Sequence, residues 1–533
     1  MIDLIGIKRR LFPGKIVFWR KLFTLGLIIF MFSSCKKHEI HLLPGPEAII
    51  SGTGYFSFGK KIYFSSTGTS TSLDNYVTEL LQQGSVSTAV GKPNFYHRKI
   101  TLEVLKSSND LGDEGYILDI RRRSIRMQAN TDRGIFYAVQ TLKQILPPGF
   151  FQEGNKDSRK IQAPCVRIED RPKYAWRGFL LDTGRQYHTP EFIKQFIDML
   201  ALFKINVFHW HLTENDGWRI ASERYPKLHE VGGFVADGPQ QHGYYTRAEL
   251  IDIVEYARYR YIDIMPEIDL PGHADAALTA YPEYSCFGKP PVKTVGHSPH
   301  LFCGGNEASY AFLKEVIDEV CEIFPFAFIH LGGDEAPKDH WDQCPRCQAK
   351  ITEQNLKNSQ ELQQYFSNRL AEHLIRNDRI SVFWEDVLDQ GNFPLPDETV
   401  IQWWRSRGRN DLGMQQAFER GLRVIASPNN FSYLNYPEVP WRGYMQNRTF
   451  DLETVYTSNP AHIENPDPLL LGITTCLWTD YNLTMDMISD RVFPRFLALA
   501  EQKWSQNPLP EYEEFLKTIE VVLNKEVVKK HTK

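Results

Sequence analysis

The chain of 533 residues is longer than one ordinary domain, and we expect two domains, one of them large. Its formal net charge of -4 and its hydrophobic fraction of 42% exclude a strongly basic nucleic-acid-binding protein and a disordered chain. Aromatic residues make up 13% of the chain, with 11 tryptophans, which is typical of proteins with carbohydrate clefts, although many of these rings will lie in the core.

Residues 1–35 have the pattern of an export signal. Basic residues precede an apolar run from Leu22 to Phe32, which suits a signal peptide but is well short of the roughly 20 residues that span a membrane as a helix. Phe32-Ser33-Ser34-Cys35 resembles the lipobox of a bacterial lipoprotein. We expect a lipid on Cys35 to be the only membrane anchor of an exported chain that faces the periplasm or the cell surface. An ordinary signal peptide with an incidental cysteine is the alternative.

Residues 38–165 are predicted to form a small α+β domain that packs against a larger body. Residues 132–145 carry apolar residues at helical spacing and give the best helix of this half. Pro147, Pro148 and the polar stretch 154–159 indicate a boundary. Alternating apolar residues predict four strands: Lys61 to Ser65, Lys99 to Leu105, Gly115 to Ile120 and Ser124 to Ala129.

In residues 171–525, short buried strands alternate with amphipathic helices. This number of strand-helix units predicts an α/β fold of the (β/α)₈ TIM-barrel type, and a doubly wound sheet is the alternative. The predicted strands are Gly178 to Asp182, Ile205 to Leu212, Tyr261 to Ile268, Phe326 to Glu335, Ile380 to Trp384, Thr399 to Trp403, Gly421 to Ala426 and Leu470 to Leu477. The predicted helices are Pro190 to Phe203, Thr246 to Arg260, Asn306 to Ile323, Ser359 to Asn377 and Ile488 to Trp504.

The fourth of these strands, FAFIHLGGDE, ends in two adjacent carboxylates, Asp334 and Glu335. Neighbouring side chains of a regular strand point to opposite faces, but Gly332 and Gly333 allow the backbone to bend, so we expect both acids to face one cleft. Such a pair is suited to acid/base or electrostatic catalysis. The alternative is a helix-capping Asp followed by a solvated Glu.

Polar and aromatic residues recur at the carboxyl ends of the other predicted strands. In a TIM barrel these ends meet on one face, so the pattern predicts a polar ligand site there. A single histidine such as His273 is as often structural as functional. The residues are Asp182, Arg185, His209, His211, Glu214, Glu267, Asp269, His273, Trp384, Trp403, Trp404, Trp478 and Asp480.

A metal site is an alternative use of the histidines at the end of the second predicted strand. His209 and His211 can face the same way on one strand, yet no compact ligand set accompanies them, so we expect no metal and no other cofactor. Cys344 and Cys347 form a lone C-x-x-C, for which a loop disulfide is favoured over zinc. A bond between Cys286 and Cys303 is a further option that spacing cannot decide.

Four motifs together resemble glycoside hydrolase family 20, the β-N-acetylhexosaminidases. The resemblance spans the barrel and extends to the small domain. His330-Leu331-Gly332-Gly333-Asp334-Glu335 matches the family's H-x-G-G-D-E signature, which is highly specific. The supporting stretches are 181–185 (LDTGR), 209–213 (HWHLT) with 217–219 (GWR), and 266–273 (PEIDLPGH).

The resemblance implies substrate-assisted retaining catalysis, in which the 2-acetamido oxygen of the sugar is the nucleophile. Asp334 then orients the acetamido group and stabilises its developing positive charge. Glu335 is the general acid and later the base, so its pKa is expected to be raised by burial and by the neighbouring anion. His273, paired with an acid of the 209–214 segment, is expected to tune Glu335.

The resemblance also assigns sugar-binding roles. Arg185 is expected to hold the outer hydroxyls, Tyr433 to hydrogen-bond the acetamido carbonyl, and three tryptophans to wall the pocket: Trp384, Trp404 and Trp478. Three positions depart from the family pattern. Glu214 and Asn435 each stand where Asp is usual, and Asp480 stands where Glu is usual.

We therefore expect an exo-acting enzyme that releases terminal non-reducing β-linked GlcNAc or GalNAc from glycans and has no nucleic-acid partner. One alternative is a family member that releases a disaccharide or a sulfated amino sugar. Another is a surface glycan-binding lipoprotein without catalytic activity.

Overall fold

The computed structural model describes residues 39–89, 96–106, 110–151, 161–238, 241–293, 297–406, 411–436, 450–461, 467–480, 483 and 485–529. The predicted signal segment and the lipidation site Cys35 lie outside these ranges. Within them, no helix combines the length and the apolar character that crossing a membrane requires.

The amino-terminal domain is built on a mixed seven-stranded sheet in the order β1-β7-β5-β6-β4-β2-β3. Helix α2 covers the sheet, with Thr131 as its N-cap and ten of its residues buried. The strands are β1 (Ala48–Ser57), β2 (Lys61–Thr67), β3 (Ser87–Ala89), β4 (Lys99–Val104), β5 (Tyr116–Arg121), β6 (Ser124–Ala129) and β7 (Gln162–Asp170), and the helices are α1 (Thr71–Gln83) and α2 (Asp132–Ile145).

The sheet of this domain extends to Asp170, five residues beyond the predicted domain end at 165, because β7 pairs with both β1 and β5. Proline lacks the N–H that a central strand requires, so Pro164 is an unusual residue within such a strand. In the structure Pro164 lies opposite Tyr55, next to a register shift between Ser51 and Tyr55 in β1. This irregularity accommodates the proline without ending the strand.

Eight parallel strands form a closed barrel in the order β10-β11-β12-β13-β14-β15-β8-β9, which confirms the predicted TIM barrel and excludes the doubly wound sheet. Each predicted strand overlaps an observed one. The strands are β8 (Trp176–Asp182), β9 (Val207–His211), β10 (Asp263–Glu267), β11 (Phe328–His330), β12 (Ile380–Trp384), β13 (Val400–Trp403), β14 (Arg423–Ala426) and β15 (Leu470–Leu477).

One predicted helix, Ile488 to Trp504, is in fact two helices separated at Phe493-Pro494, because proline removes a helical hydrogen bond and clashes with the preceding turn. The helices after β8 are α3 (Pro190–Leu202), α4 (Lys227–Glu230), α5 (Arg247–Arg258), α6 (Asp275–Ala280), α7 (Glu307–Ile323), α8 (Asp339–Gln343), α9 (Pro345–Glu353), α10 (Ser359–Arg376), α11 (Leu412–Glu419), α12 (Leu452–Thr457), α13 (Met485–Val492), α14 (Arg495–Trp504), α15 (Tyr512–Leu523) and α16 (Glu526–Lys529).

The amino end of the barrel is closed by apolar side chains. A separate buried cluster of inward-facing residues fills it, so the interior is a packed core rather than a channel. A ligand therefore reaches the barrel only from the carboxyl ends of the strands. The cluster consists of Trp176, Val207, Met265, Val382, Val400 and Ile425.

The small domain lies against the amino end of the barrel. The fully buried Arg177, near the start of β8, donates to Glu114 Oε2 of the small domain at 2.6 Å. Lys204 Nζ, just before β9, donates to Asp170 Oδ2 at 2.9 Å. The small domain is thus placed away from the end of the barrel where the predicted site residues lie.

None of the seven cysteines in the described ranges is disulfide-bonded, which corrects the expected loop disulfides. Cys286 and Cys303 instead lie beside Cys344 and Cys347 in one buried cluster. Spacing alone could not predict this cluster, because the two pairs are distant along the chain and meet only when the loop before α7 packs against the junction between α8 and α9.

Candidate active site

The turn after β11 requires both of its glycines. Gly332 and Gly333 have φ of 64° and 107°, in the left-handed region that favours glycine. A Cβ on Gly332 would lie 1.8 Å from Asp269 Oδ1. The bend is completed by Glu335, whose φ is 48°. As predicted, strand alternation is broken here, and Asp334 and Glu335 turn toward the same side.

A compact cavity of about 160 Å³ opens at the carboxyl ends of the barrel strands. The residues predicted to act in catalysis or to hold the sugar line it, whereas the chemical roles assigned to them stay predictions. Four of the predicted strand-end residues do not line it: Asp182, His209, Glu267 and Trp403. Its lining residues are Arg185, His211, Glu214, Asp269, His273, Asp334, Glu335, Trp384, Trp404, Tyr433, Asn435, Tyr436, Trp478 and Asp480.

Arg185 is held by two carboxylates on one side of the cavity. Its Nη1 donates to Asp182 Oδ2 at 2.9 Å and its Nη2 to Glu214 Oε1 at 2.6 Å. The guanidinium carbon lies 5.3 Å from the centre of the Trp478 ring. Burial would lower the pKa of Arg185, but Glu214 and Asp182 raise it well above its usual value. The guanidinium is therefore a fixed positive group with a defined orientation.

His273 connects Glu214 to the paired acids. Its Nδ1 lies 2.5 Å from Glu214 Oε1, so the longer Glu side chain at 214 keeps the expected contact with the histidine. Its Nε2 lies 3.6 Å from Asp334 Oδ2 and 3.7 Å from Glu335 Oε2 and has no hydrogen-bond partner among the described residues. Burial would lower the pKa of His273, but Glu214 and two further carboxylates raise it well above its usual value.

The pKa values of the paired acids differ from the sequence prediction. Burial and the nearby Asp269 carboxylate raise the pKa of Asp334 well above its usual value. Burial would also raise the pKa of Glu335, but hydrogen bonding to His297 and the charge of His273 lower it. The expected raised pKa of Glu335 is thus wrong for the free protein, because two histidines outweigh its burial.

His297 and Asp386 are site residues that the sequence did not reveal. His297 Nδ1 lies 2.8 Å from Glu335 Oε2, although His297 belongs to a loop without periodicity or motif. Asp386 Oδ2 accepts a hydrogen bond of 2.8 Å from Trp404 Nε1. Its position two residues after Trp384 was the only available signal, and polar residues are common there in loops.

Aromatic rings also line the cavity. Trp404 and Tyr433 are nearly parallel, with ring centres 6.3 Å apart and an interplanar angle of 14°. The centres of the Trp384 and Trp478 rings are 5.8 Å apart. Apolar ring faces of this kind suit the acetamido methyl group and the apolar faces of a sugar.

Beneath the cavity, Glu267 binds the histidines that were considered as metal ligands. His209 Nε2 and His211 Nδ1 lie 2.9 and 2.5 Å from Glu267 Oε2, and His330 Nδ1 lies 3.0 Å from Oε1. Trp384 Nε1 also donates to Glu267 Oε1, at 2.7 Å. Glu267 therefore fixes both the floor of the cavity and one of its walls.

Two of the departures from the family pattern compensate for each other. Asn435 Nδ2 donates to Asp480 Oδ1 at 3.3 Å. An aspartate at 435 would place a second carboxylate beside Asp480, with repulsion in a buried site. The amide at 435 therefore allows Asp480 to face the cavity near Arg185.

Comparison with known proteins agrees with this architecture. The family described as glycosyl hydrolase family 20, catalytic domain, matches residues 174–507, and domain 2 of the same family matches residues 39–171. A β-hexosaminidase of Porphyromonas gingivalis is 36% identical over 77% of this chain, which spans only 53% of that relative. A β-hexosaminidase of Akkermansia muciniphila is 32% identical over 78% of this chain and 84% of the relative.

Solved structures give the same result. The β-N-acetylhexosaminidase of Bacteroides fragilis superposes with a TM-score of 0.82 at 41% identity, over 90% of this chain and 94% of that chain. A family 20 exo-β-N-acetylglucosaminidase from Vibrio harveyi, solved with N-acetylglucosamine, gives a TM-score of 0.80 at 26% identity, over 93% of this chain and 78% of that one. The chain therefore belongs to glycosyl hydrolase family 20.

Proposed function

We propose that the protein is an exo-acting β-N-acetylhexosaminidase that removes terminal non-reducing β-linked GlcNAc or GalNAc from glycans with retention of configuration. The observation that carries this proposal is the adjacent pair Asp334 and Glu335 in one aromatic-walled cavity beside Arg185. The names of the bacterial relatives, β-hexosaminidases, support the same activity.

Asp334 and Glu335 suit substrate-assisted catalysis. Retaining glycosidases with a protein nucleophile place two carboxylates on opposite sides of the scissile bond, whereas these two leave a single turn side by side. Glu214, another carboxylate in the cavity, is already bound to Arg185 and His273. In this proposal the acetamido oxygen of the substrate is the nucleophile, and Tyr433, which also lines the cavity, is expected to hydrogen-bond it.

Proton transfer between the paired acids reconciles their pKa values with these roles. In the free protein the raised pKa of Asp334 favours its protonated form, while Glu335 is ionised. An acetamido N–H bound at Asp334 favours the Asp334 carboxylate, because hydrogen bonding to the charged form lowers a pKa. The released proton is then available to Glu335, and His273 Nε2 lies 3.6 and 3.7 Å from the carboxylate oxygens of the two acids.

The shape of the cavity supports exo action. It is a single pocket closed below by the Glu267 floor, so a sugar with further residues attached on both sides does not fit within it. Arg185 and Asp480 lie on one side, where they suit the outer hydroxyls of a terminal sugar. We expect this end of the pocket to decide between GlcNAc and GalNAc, which differ only in the orientation of one hydroxyl.

The test is hydrolysis of aryl β-GlcNAc and aryl β-GalNAc by the purified protein and by Glu335→Gln and Asp334→Asn. Loss of a well-placed general acid costs on the order of 10²- to 10⁴-fold in kcat. Glu513→Gln, which changes an exposed carboxylate on α15, is the matched control and should keep full activity. Wild-type kcat in both site variants would contradict the proposal, and absence of activity in the wild type would favour the non-catalytic binding protein.

The roles of Asp334 and Glu335 can be distinguished with substrates that differ in their leaving group. Glu335→Gln should lose more activity toward chitobiose, whose leaving oxygen needs a proton, than toward 4-nitrophenyl β-GlcNAc. Asp334→Asn should lose activity toward both substrates to a similar extent, because it acts on the acetamido group. A thiazoline mimic of the bicyclic intermediate should inhibit the wild type competitively. Equal losses for the two substrates in Glu335→Gln would contradict the acid role.

We also propose that the chain is an exported lipoprotein held at a membrane through Cys35. The support is the basic and apolar sequence that precedes the lipobox-like residues 32–35. A fatty acid supplied to cells that express the full chain should label the wild type and not Cys35→Ala, and only the wild type should partition into detergent. Equal labelling of both would contradict this proposal.

A further inference from the structure

Four cysteines meet in a buried cluster beside the barrel face that carries the cavity. Cys286 and Cys303 come from the loop before α7, and Cys344 and Cys347 flank the start of α9. All four side chains are buried, and their Sγ atoms all lie within 4.8 Å of one another. None of the four lines the active-site cavity.

The spacing of these sulfur atoms matches a common tetrahedral centre. The Sγ atoms of Cys286 and Cys347 are 3.8 Å apart, those of Cys303 and Cys344 also 3.8 Å, and those of Cys303 and Cys347 3.6 Å. Four thiolates bound to zinc at about 2.3 Å form a tetrahedron whose edges are roughly 3.8 Å. A disulfide instead brings two sulfur atoms to about 2.05 Å and leaves each sulfur with one partner.

Groups of positive electrostatic potential lie next to the cluster. Cys344 is the N-cap of the nine-residue helix α9 and Cys347 lies in its first turn, where the helix dipole stabilises negative charge. Arg346, between them, donates from Nη2 to the carbonyl oxygens of Ser285 and Cys286 at 2.9 and 3.0 Å. The backbone N–H of Gly305 donates to Cys303. The cluster is thus supported by a cation, a helix N-terminus and a backbone donor.

From this geometry we propose that Cys286, Cys303, Cys344 and Cys347 bind one Zn²⁺ in a closed structural site. Four protein thiolates leave no open coordination position, so the ion takes no part in glycan chemistry. The C-x-x-C of α9 is one half of the site, and the loop before α7 supplies the second pair that the sequence did not connect with it. This inference stands independently of the proposed function.

The zinc ion would fix the loop that reaches the active site. The segment between Cys286 and Cys303 carries His297, the residue that contacts Glu335. The ion joins both ends of this segment to the start of α9, which follows the Asp334-Glu335 turn in the chain. Removal of the metal is therefore expected to lower the unfolding temperature and to loosen the position of His297.

The first test is metal analysis of the full chain, purified without added metal or chelator. We expect one zinc per chain, lost in Cys286→Ser and Cys344→Ser and retained in the matched controls Cys165→Ser and Cys321→Ser, which lie outside the cluster. Cobalt exchanged for zinc should give the thiolate-to-metal absorption band of a tetrahedral site. Should the cluster variants fail to fold, the wild-type zinc content and cobalt spectrum decide. A chain free of zinc would overturn the proposal.

The second test distinguishes the metal from two disulfides, the alternative in an oxidising compartment. In denaturant with a chelator and no reductant, all four cluster cysteines should react with a thiol reagent and appear alkylated by mass spectrometry. Chelation of the folded protein should lower its Tm, and added zinc should restore it. Cluster cysteines that react only after reduction, or a Tm that chelators do not change, would overturn the proposal.

Discussion

Buried charges occur at both ends of the barrel, but they are treated differently. At the amino end, each nitrogen of the Arg177 guanidinium donates a hydrogen bond, to Lys204 O, Glu114 Oε2 and Tyr137 Oη among others. At the carboxyl end, His273 Nε2 and Asp334 Oδ1 are buried without a partner among the described residues. A buried polar side chain whose atoms are all hydrogen-bonded stabilises the fold, whereas one with an unpaired donor or acceptor can bind a ligand.

The largest effect should come from breaking the amino-end network. Arg177→Met keeps much of the volume of the side chain but removes the 2.6 Å ion pair with the half-buried Glu114. Glu114 is left with the 3.4 Å contact to Arg133 and the hydrogen bond from Asn206, so the loss of unfolding free energy should be up to about 3 kcal/mol. Denaturant titration measures this change. The kcat of the remaining folded enzyme should stay within twofold of the wild type, because Arg177 does not line the cavity. A large loss of kcat with unchanged stability would break the distinction between the two ends.

Arg185→Lys should have the opposite profile. Lysine keeps the charge beside Asp182 and Glu214, so Tm should change by only a few degrees. The planar guanidinium and its directed hydrogen bonds to a terminal sugar are lost. We therefore expect kcat/KM to fall about 10- to 100-fold. Steady-state kinetics with aryl β-GlcNAc gives the value. The comparison fails if Arg185→Lys and Arg177→Met lose stability equally.

The contact between Glu214 and His273 predicts a pH-dependent contribution to stability. The pKa of Glu214 is lowered in the folded protein, because Arg185 and His273 outweigh the effect of its burial. Its contribution to the free energy of unfolding is therefore present above the unfolded pKa of about 4.3. This contribution is lost as the pH falls through the pKa of the folded protein. The pKa of His273 is raised in the folded protein. Its contribution to the free energy of unfolding is therefore present below the unfolded pKa of about 6.5 and is lost as the pH rises through the pKa of the folded protein. The difference in Tm between wild type and Glu214→Gln, followed by calorimetry, should be largest between about pH 4.3 and 6.5. A difference independent of pH would contradict the contact.

The smallest effect is expected from His297→Ala. His297 lowers the pKa of Glu335 in the free protein, so its removal should raise that pKa. Because Asp334 and Glu335 share one proton in the free enzyme, the alkaline limb of kcat/KM reports the titration of the pair, and a higher pKa of Glu335 should move this limb to higher pH. The profile of kcat, which reports the complex, should not move. His242→Ala, which removes a histidine that contacts the Ala236 carbonyl, is the control, and an equal shift in both variants would contradict the role of His297.

The parts of the structure that the sequence predicted are those with a local cause. Strand β12 (Ile380–Trp384) and strand β15 (Leu470–Leu477) agree residue for residue with the predicted strands, because apolar runs bounded by polar or breaking residues define buried strands. The left-handed bend at Gly332 and Gly333 was likewise predictable, since glycine tolerates the required φ. The grouping of strand-end residues on one face was also predictable, because the carboxyl ends of all strands in a TIM barrel meet there.

What the sequence did not predict depends on contacts between distant segments. The pKa of Glu335 is set by His297 from another loop, and the cysteine cluster joins residues 286 and 303 to 344 and 347. The hydrogen bond between Asn435 and Asp480 links the ends of two different loops. Composition and periodicity carry no information on such pairs. The resemblance to a family identified the residues but not the way in which this chain balances their charges.

The buried apolar cluster at the amino end of the barrel has a consequence for the kinetics of product release. Because Trp176 and the other residues of this cluster close the amino end, substrate and products enter and leave through the same opening at the carboxyl end. For the proposed hydrolase, the leaving glycan lies between the bound sugar and solvent, so it must depart first and the free amino sugar last. The order of release is thereby fixed, and the released monosaccharide should compete with substrate, whereas the shortened glycan should not.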